Sequence, residues 1–311
     1  MRLKDLGERA LLKKLAPLGY PEGAPLPPGD DAGGVWAEGE AWLLKTDGFL
    51  YREVALEGMG PFEVGFRGVA ATASDLLAKM GRPLGFTLGL FLPEDLEEAF
   101  VLEMVQGAAE AAGRLGAFLL GGDTNAGGEV ALTVSGLART RAPLPRKALP
   151  GDLLYLAGDR WGRAGAAIGA HYQGRSLEEF PEIRKAAFYP LPRLELLTLS
   201  GLLRGSLDSS DGLAETLWQL AELGVRVEVE ALPLYPDVLA FAGSEEKALE
   251  FVLYGGEEFE AVLVVPREEE KKVRARAEAA GLPLFRAGRV LEGEGVHFRG
   301  TPLPRKGYAH F

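Results

Sequence analysis

Apolar runs in this chain end repeatedly on an aspartate flanked by glycine or serine, after which the chain turns. The pattern occurs at Asp30 and Asp31, at Asp47, at Asp75, at Asp123, and at Asp208 and Asp211. A strand that stops at a tight turn delivers its last side chain to one rim of a sheet, where ligands commonly bind. Carboxylates gathered at one rim repel one another, and some take up protons unless cations sit among them. Hard cations such as Mg2+ prefer oxygen ligands, keep part of their water and share the rest with substrate phosphates. Glycines beside the acids let backbone approach a phosphate closely. Each motif alone is also an ordinary turn: Asp75 reads equally as a charge on a helix face, and Asp211 as the cap of the helix that follows. Five clusters, each closing an apolar segment, are harder to explain by turns and point to a shared metal and phosphate site.

The periodicity predicts a helix over 2–15, from Leu3, Leu6, Ala10, Leu11 and Leu15. A buried strand over 41–46 runs into Asp47, a helix covers 62–80, and a strand covers 84–92. A long helix spans 94–115, a short strand 117–120 enters a turn at Gly121-Gly122-Asp123-Thr124, and a strand covers 129–138. The Pro-rich basic stretch 141–151 is the linker candidate. Beyond it come a strand at 153–157 and helices from about 162, near 193–203 and over 213–223. A strand at 225–230 and a turn at 255–258 follow, then a strand at 259–265, a helix at 267–280 and two short closing strands. The expected fold class is α/β of the α+β kind, with two domains, 1–145 and 146–311.

Composition removes several functions. With no cysteine there is no disulfide, thiolate nucleophile or zinc–thiolate site. A net charge of -11 argues against a nucleic-acid surface. No apolar run is long enough to span a bilayer, and the first residues do not read as a signal peptide, so a cytoplasmic protein with no membrane partner is expected. There is no Gly-x-x-x-x-Gly-Lys-Ser/Thr loop and no His-Arg-Asp loop, and Gly158–Gly162 does not match a dinucleotide fingerprint. His171, His297 and His310 are scattered. Without a nucleophile motif, direct transfer between bound substrates is the simpler chemistry. Phosphoryl transfer needs mainly positioning and charge neutralisation, which metals on carboxylates supply.

In order along the chain stand Gly29-Asp30-Asp31-Ala32, Thr46-Asp47, Ser74-Asp75 through Gly81 with Pro83, Gly121-Gly122-Asp123-Thr124, Pro150-Gly151-Asp152, Ser210-Asp211-Gly212-Leu213, Gly255-Gly256-Glu257-Glu258-Phe259-Glu260 and Gly307-Tyr308-Ala309-His310-Phe311. Together they resemble the thiamine-monophosphate kinase family of the aminoimidazole-ribonucleotide-synthetase-like superfamily. The resemblance implies a dimeric two-domain fold, each domain a mixed sheet covered by helices. Domain 1–145 would bind ATP and metal and dimerise, and 146–311 would complete the site. ATP and thiamine phosphate would meet at several Mg2+ ions. Asp31, Thr46, Asp47, Asp75, Asp123, Asp208 and Asp211 would be metal contacts, and Asp47, Asp75 and Asp123 the catalytic acids. Gly122, Asp123, Arg146 and Ser210 would meet ATP, and Glu257 and Tyr308 the acceptor. The family's Gly-x-His after Thr-Asp is missing here, leaving Arg52 either solvated or compensating. Lys45 stands where relatives often carry a small hydroxyl residue; it either points into water or lies near a phosphate oxygen.

Overall fold

A computed structural model of the chain describes residues 2–306. The first half runs α1 (Leu3–Leu6), α2 (Glu8–Leu15), β1 (Gly33–Ala37), β2 (Glu40–Leu50), α3 (Tyr51–Val54), α4 (Pro61–Ala78), β3 (Arg82–Leu92), α5 (Glu98–Arg114), β4 (Phe118–Ala126) and β5 (Ala131–Thr140). Its strands form one mixed sheet in the order β1-β2-β5-β3-β4, with β3 and β4 parallel. The second half runs β6 (Leu153–Ala157), α6 (Arg163–Gln173), α7 (Pro181–Phe188), β7 (Gly205–Ser209), α8 (Leu213–Ala221), β8 (Arg226–Val229), α9 (Pro236–Ala242), α10 (Glu245–Tyr254), β9 (Glu260–Val265), α11 (Glu270–Ala280), β10 (Leu284–Leu291), β11 (Gly295–Phe298) and β12 (Thr301–Pro302). These strands form a second mixed sheet, ordered β12-β11-β8-β10-β6-β9-β7, with β8 and β11 parallel.

Several expectations change. The helix over 2–15 breaks at Gly7, whose φ of 77° closes α1. The helix near 193–203 is a 3-10 turn, Leu194–Leu199. The strand into Asp47 does not stop there, because Asp47 pairs with Val134 and the ladder continues to Leu50. The glycines at 121–124 are likewise strand, with Asp123 opposite Gly89. A β-carbon on Gly122 would stand 1.9 Å from the Leu88 carbonyl oxygen, so glycine here serves close strand approach. The short strand β7 and the helices α7, α9 and α10 had no counterpart in the sequence reading.

α4 organises both halves. Fifteen of its 18 residues are buried, the mark of a helix enclosed on all sides. It covers the inner face of the first sheet together with α5. It also shares a core with the second sheet, where Phe66, Leu76 and Leu77 join Tyr155, Leu263 and Val265. The far face of the second sheet packs on α8 through Leu213, Leu217 and Leu220 against Leu156, Val227 and Val262.

α4 and α5 touch backbone to backbone. A β-carbon on Gly65 would lie 1.9 Å from the Met104 carbonyl oxygen, and one on Gly107 would lie 1.9 Å from that of Phe62. Gly107→Ala therefore forces the helices apart, although alanine is the better helix former. We expect a loss of about 1–3 kcal/mol in thermal or urea unfolding; equal or greater stability would show that the crossing yields without strain.

Candidate active site

A four-residue step returns to nearly the same side of a helix, drifting about 40° each time. On α4 that step links Arg67 to Asp75, and Lys79 one residue beyond the helix end; all three are buried. This polar stripe in an apolar helix looks into the junction of the two halves. There Asp75 meets Asp31, from the loop before β1, and Asp208, near the end of β7. One carboxylate oxygen from each lies within 4.8 Å of the others. The Ser74 hydroxyl donates to Asp208 Oδ2 at 2.9 Å.

Cations surround the cluster. Lys79 Nζ, fully enclosed, lies 2.7 Å from Asp30 Oδ1 and 2.9 Å from Asp31 Oδ2, and donates to the Ser206 carbonyl at 2.6 Å. Arg146 Nη2 lies 2.7 Å from Asp31 Oδ1, while its backbone N–H donates to Asp30 Oδ2 at 2.8 Å. Lys45 turns inward rather than into water. Its Nζ lies 2.8 Å from Asp75 Oδ2 and 3.3 Å from Asp47 Oδ1.

Burial and charge divide the acids. Burial alone would raise the Asp31 carboxyl, but Lys79 and Arg146 outweigh it and hold it at about 2. Burial, then the negative charge of Asp31, pushes Asp208 up to about 6 against the pull of Lys45 and Ser74. Asp75 sits well above the carboxylate range, through burial and then Asp208, with Lys45 opposing. Burial would lower Lys45, but Asp75 and Asp47 raise it. Burial and mutual repulsion thus favour the protonated forms of Asp75 and Asp208, while Lys79 and Arg146 favour ionised Asp31.

Asp47 joins this group through Lys45, and its Oδ2 is buried with no hydrogen-bond partner. Thr46 and Asp123 do not join it. The row Asp47–Val134–Leu88–Gly122 faces the core, because Val134 and Leu88 are buried. Successive residues point to opposite faces, so Thr46 and Asp123 look outward. Asp123 is also three strands from Asp47, about 14 Å across the sheet. Thr46 Oγ1 lies 2.8 Å from Ser135 Oγ, and Asn125 Nδ2 donates to Asp123 Oδ2 at 2.9 Å. Gly122 is on the same exposed edge strand. Ser210 is exposed and Asp211 half-buried just beyond β7. Arg52 makes an exposed ion pair with Glu129.

Glu257 lies on a turn that departs from ordinary geometry. Gly256, Glu257 and Phe259 have φ of 79°, 59° and 47°. The Glu257 N–H donates to the Ser210 carbonyl at 2.6 Å, tying the turn to the end of β7. Its Oε2 lies 2.5 Å from Arg67 Nη2. Tyr308 lies outside the described residues. Lys79, Arg67 and Ser74 carried no role in the sequence reading. The signal that could have found them is charge and hydroxyl inside an otherwise apolar helix.

Two family descriptions match the chain: AIR synthase related protein, N-terminal domain, over residues 29–140, and its C-terminal domain over 150–300. A thiamine-monophosphate kinase of Pyrococcus horikoshii is 30% identical over 292 residues, covering 91% of this chain and 90% of that protein. Among solved structures, tt0281 from Thermus thermophilus has a TM-score of 0.97 and 87% identity, covering 98% of this chain and 100% of its own. AaThiL complexed with AMPPCP and TMP has a TM-score of 0.88 and 27% identity, covering 100% of this chain and 99% of its own.

The proton load sets a pH dependence. A carboxyl with a raised folded pKa stabilises the fold fully below its unfolded value, about 3.9, and loses that contribution as pH rises. For Asp208 the loss is complete above about 6. Asp31 runs the other way, its contribution disappearing only as pH falls toward about 2. In chelator, the unfolding temperature is therefore expected to fall from about pH 4 to about pH 6, and Asp208→Asn to flatten that slope. A slope unchanged by the substitution would assign it to other groups.

Proposed function

We propose, from the premise that the chain belongs to the thiamine-monophosphate kinase family of AIR synthase related proteins, that it moves the γ-phosphoryl group of ATP onto thiamine phosphate. An oxygen of the acceptor phosphate attacks the γ-phosphorus in line, the bond to the β,γ-bridging oxygen breaks, and ADP and thiamine diphosphate leave. The observation that carries this reading is the set of three buried carboxylates, Asp31, Asp75 and Asp208, drawn from both halves. The whole-length likeness to a structure holding AMPPCP and TMP supports it.

Mg2+ fits the residues present. The acids offer only hard oxygen, Asp47 Oδ2 is buried without a partner, and the raised Asp75 and Asp208 hold protons that a divalent cation would displace. Asp31, Asp47, Asp75 and Asp208 would hold it, with Asp211 beside them. Bound there, Mg2+ would neutralise the phosphate charge that builds during transfer. Arg146 keeps Asp31 ionised and offers its remaining donors to the nucleotide. Lys45 is a tethered cation among the acids, a point charge near where phosphate oxygens arrive.

The division near residue 145 gives the first domain most of the acids and the second Asp208, Ser210 and the acceptor turn. The outer face of the first sheet exposes Leu44, Phe91, Phe118 and Leu120 and has no cover among the described residues. A second copy of the chain is the occupant in our reading. Asp123, on that face, would then serve the interface between copies, with Gly122 beside it on the edge strand β4. Tyr308 is assigned to the acceptor in our reading on the strength of the family resemblance alone.

Two measurements test this reading. Purified protein with ATP, Mg2+ and thiamine phosphate should form thiamine diphosphate, and folded Asp75→Asn should lose on the order of 10²-fold or more in rate. Near-normal turnover in that variant would remove the carboxylate mechanism. Deleting residues 307–311 should raise KM for thiamine phosphate far more than KM for ATP. Equal changes, or none, would place the tail away from the acceptor.

A further inference from the structure

Arg67 is a buried cation in the middle of an enclosed helix, and all but one of its polar contacts are to neutral groups. Nη1 donates to the Ala187 carbonyl at 2.8 Å and lies 3.8 Å from Met59 Sδ. Nη2 lies 2.5 Å from Glu257 Oε2. Its side chain is 5% exposed, whereas that of Glu257 is 29% exposed. Glu257 is thus half a surface group. Arg67 holds one carboxylate oxygen, Oε2, from the inside. The turn cannot swing to release it, since the Glu257 N–H is bonded to Ser210 and the Phe259 N–H to the Ser209 carbonyl at 3.1 Å. Arg160 holds the same turn from below through the Glu258 and Phe259 carbonyls.

This changes what Glu257 does for an acceptor. A free carboxylate would attract the thiazolium ring by charge. A carboxylate already paired with a buried guanidinium has little net charge to offer, and keeps one oxygen as a hydrogen-bond acceptor. The thiazolium has no N–H or O–H to give it. The one neutral N–H donor on thiamine phosphate is the exocyclic amine of its pyrimidine. The spacing agrees: Arg67 and Asp75 are eight residues apart along α4, about 12 Å of rise. An extended acceptor with its phosphate at Asp75 would place its pyrimidine end near Arg67 and Glu257.

We propose that Arg67 is a positioning residue of the acceptor pocket, fixing Glu257 as a charge-neutralised acceptor for the pyrimidine amine and so setting specificity for aminopyrimidine phosphates. This rests on the acceptor assigned above, and the test separates the two. Steady-state kinetics would be run on the full chain, Arg67→Gln and Arg67→Lys, with thiamine phosphate and its 4-deamino analogue, alongside thermal unfolding. The parent should turn over thiamine phosphate and disfavour the deamino analogue by roughly tenfold to a hundredfold in kcat/KM. Arg67→Gln should raise KM for thiamine phosphate about tenfold or more, leave KM for ATP near the parent value and shrink the preference for the amine, with Arg67→Lys recovering part of it. No turnover of thiamine phosphate by the parent overturns the functional reading itself. Turnover with equal use of both acceptors, or an Arg67→Gln effect shared equally by both KM values, overturns the role of Arg67 and Glu257 alone. If Arg67→Gln unfolds, Arg67→Lys carries the test: a raised KM for thiamine phosphate with KM for ATP unchanged and a smaller preference for the amine supports the role, and parent-like values for all three overturn it.

Discussion

Lys79 and the acids it joins are the constraint on which the rest of the molecule depends. An ammonium with no exposed surface must be surrounded by oxygen or give up its charge. Here it has Asp30, Asp31 and the Ser206 carbonyl. Those partners come from the loop before β1 and from β7, so one buried cation ties both halves to the end of α4. Removing a partner from such a pair leaves an uncompensated charge, which is why the junction is held to one arrangement.

The same junction sets the acids apart in chemistry. Asp31 has two cationic neighbours and stays ionised. Asp75 and Asp208 face each other and share Lys45, and burial drives them toward the protonated form. In the reading proposed above, such a site would exchange protons for a divalent cation as pH or metal concentration changes. Lys45 contributes a fixed positive charge in addition, a departure from the small hydroxyl residue that the resemblance led one to expect.

α4 acts as a ruler between the two ends of the site. Because Arg67 and Asp75 sit on one enclosed helix, the distance from the Asp31–Asp75–Asp208 cluster to the Glu257 turn is set by helix rise rather than by loops. Loops alone would leave that distance adjustable. The close α4–α5 crossing at Gly65 and Gly107 holds the ruler in place from behind. The strained turn at Glu257 persists because Ser209, Ser210, Arg67 and Arg160 all hold it.

Local pattern alone determined much of this protein. Periodicity located α4, α5, β3, β5, β6, α8, β9 and α11, because each has an apolar face or run that must be buried whatever the topology. The acids Asp31, Asp47, Asp75 and Asp208 were legible as residues closing apolar segments. What local pattern could not supply was sidedness and partnership. Asp47 and Asp123 look alike in sequence, each beside a glycine after an apolar run. Ladder register sends one to the core face and the other to the outer face, three strands away. The Gly121–Thr124 stretch read as a turn because glycine is ambiguous until a neighbouring strand requires close approach. Lys79 and Arg67 read as ordinary helix residues, since their carboxylate partners lie more than 40 residues away in the chain for Lys79 and 190 for Arg67. Only the packing of two sheets around one enclosed helix decided which charges were buried together, and burial is what gives those charges their chemistry.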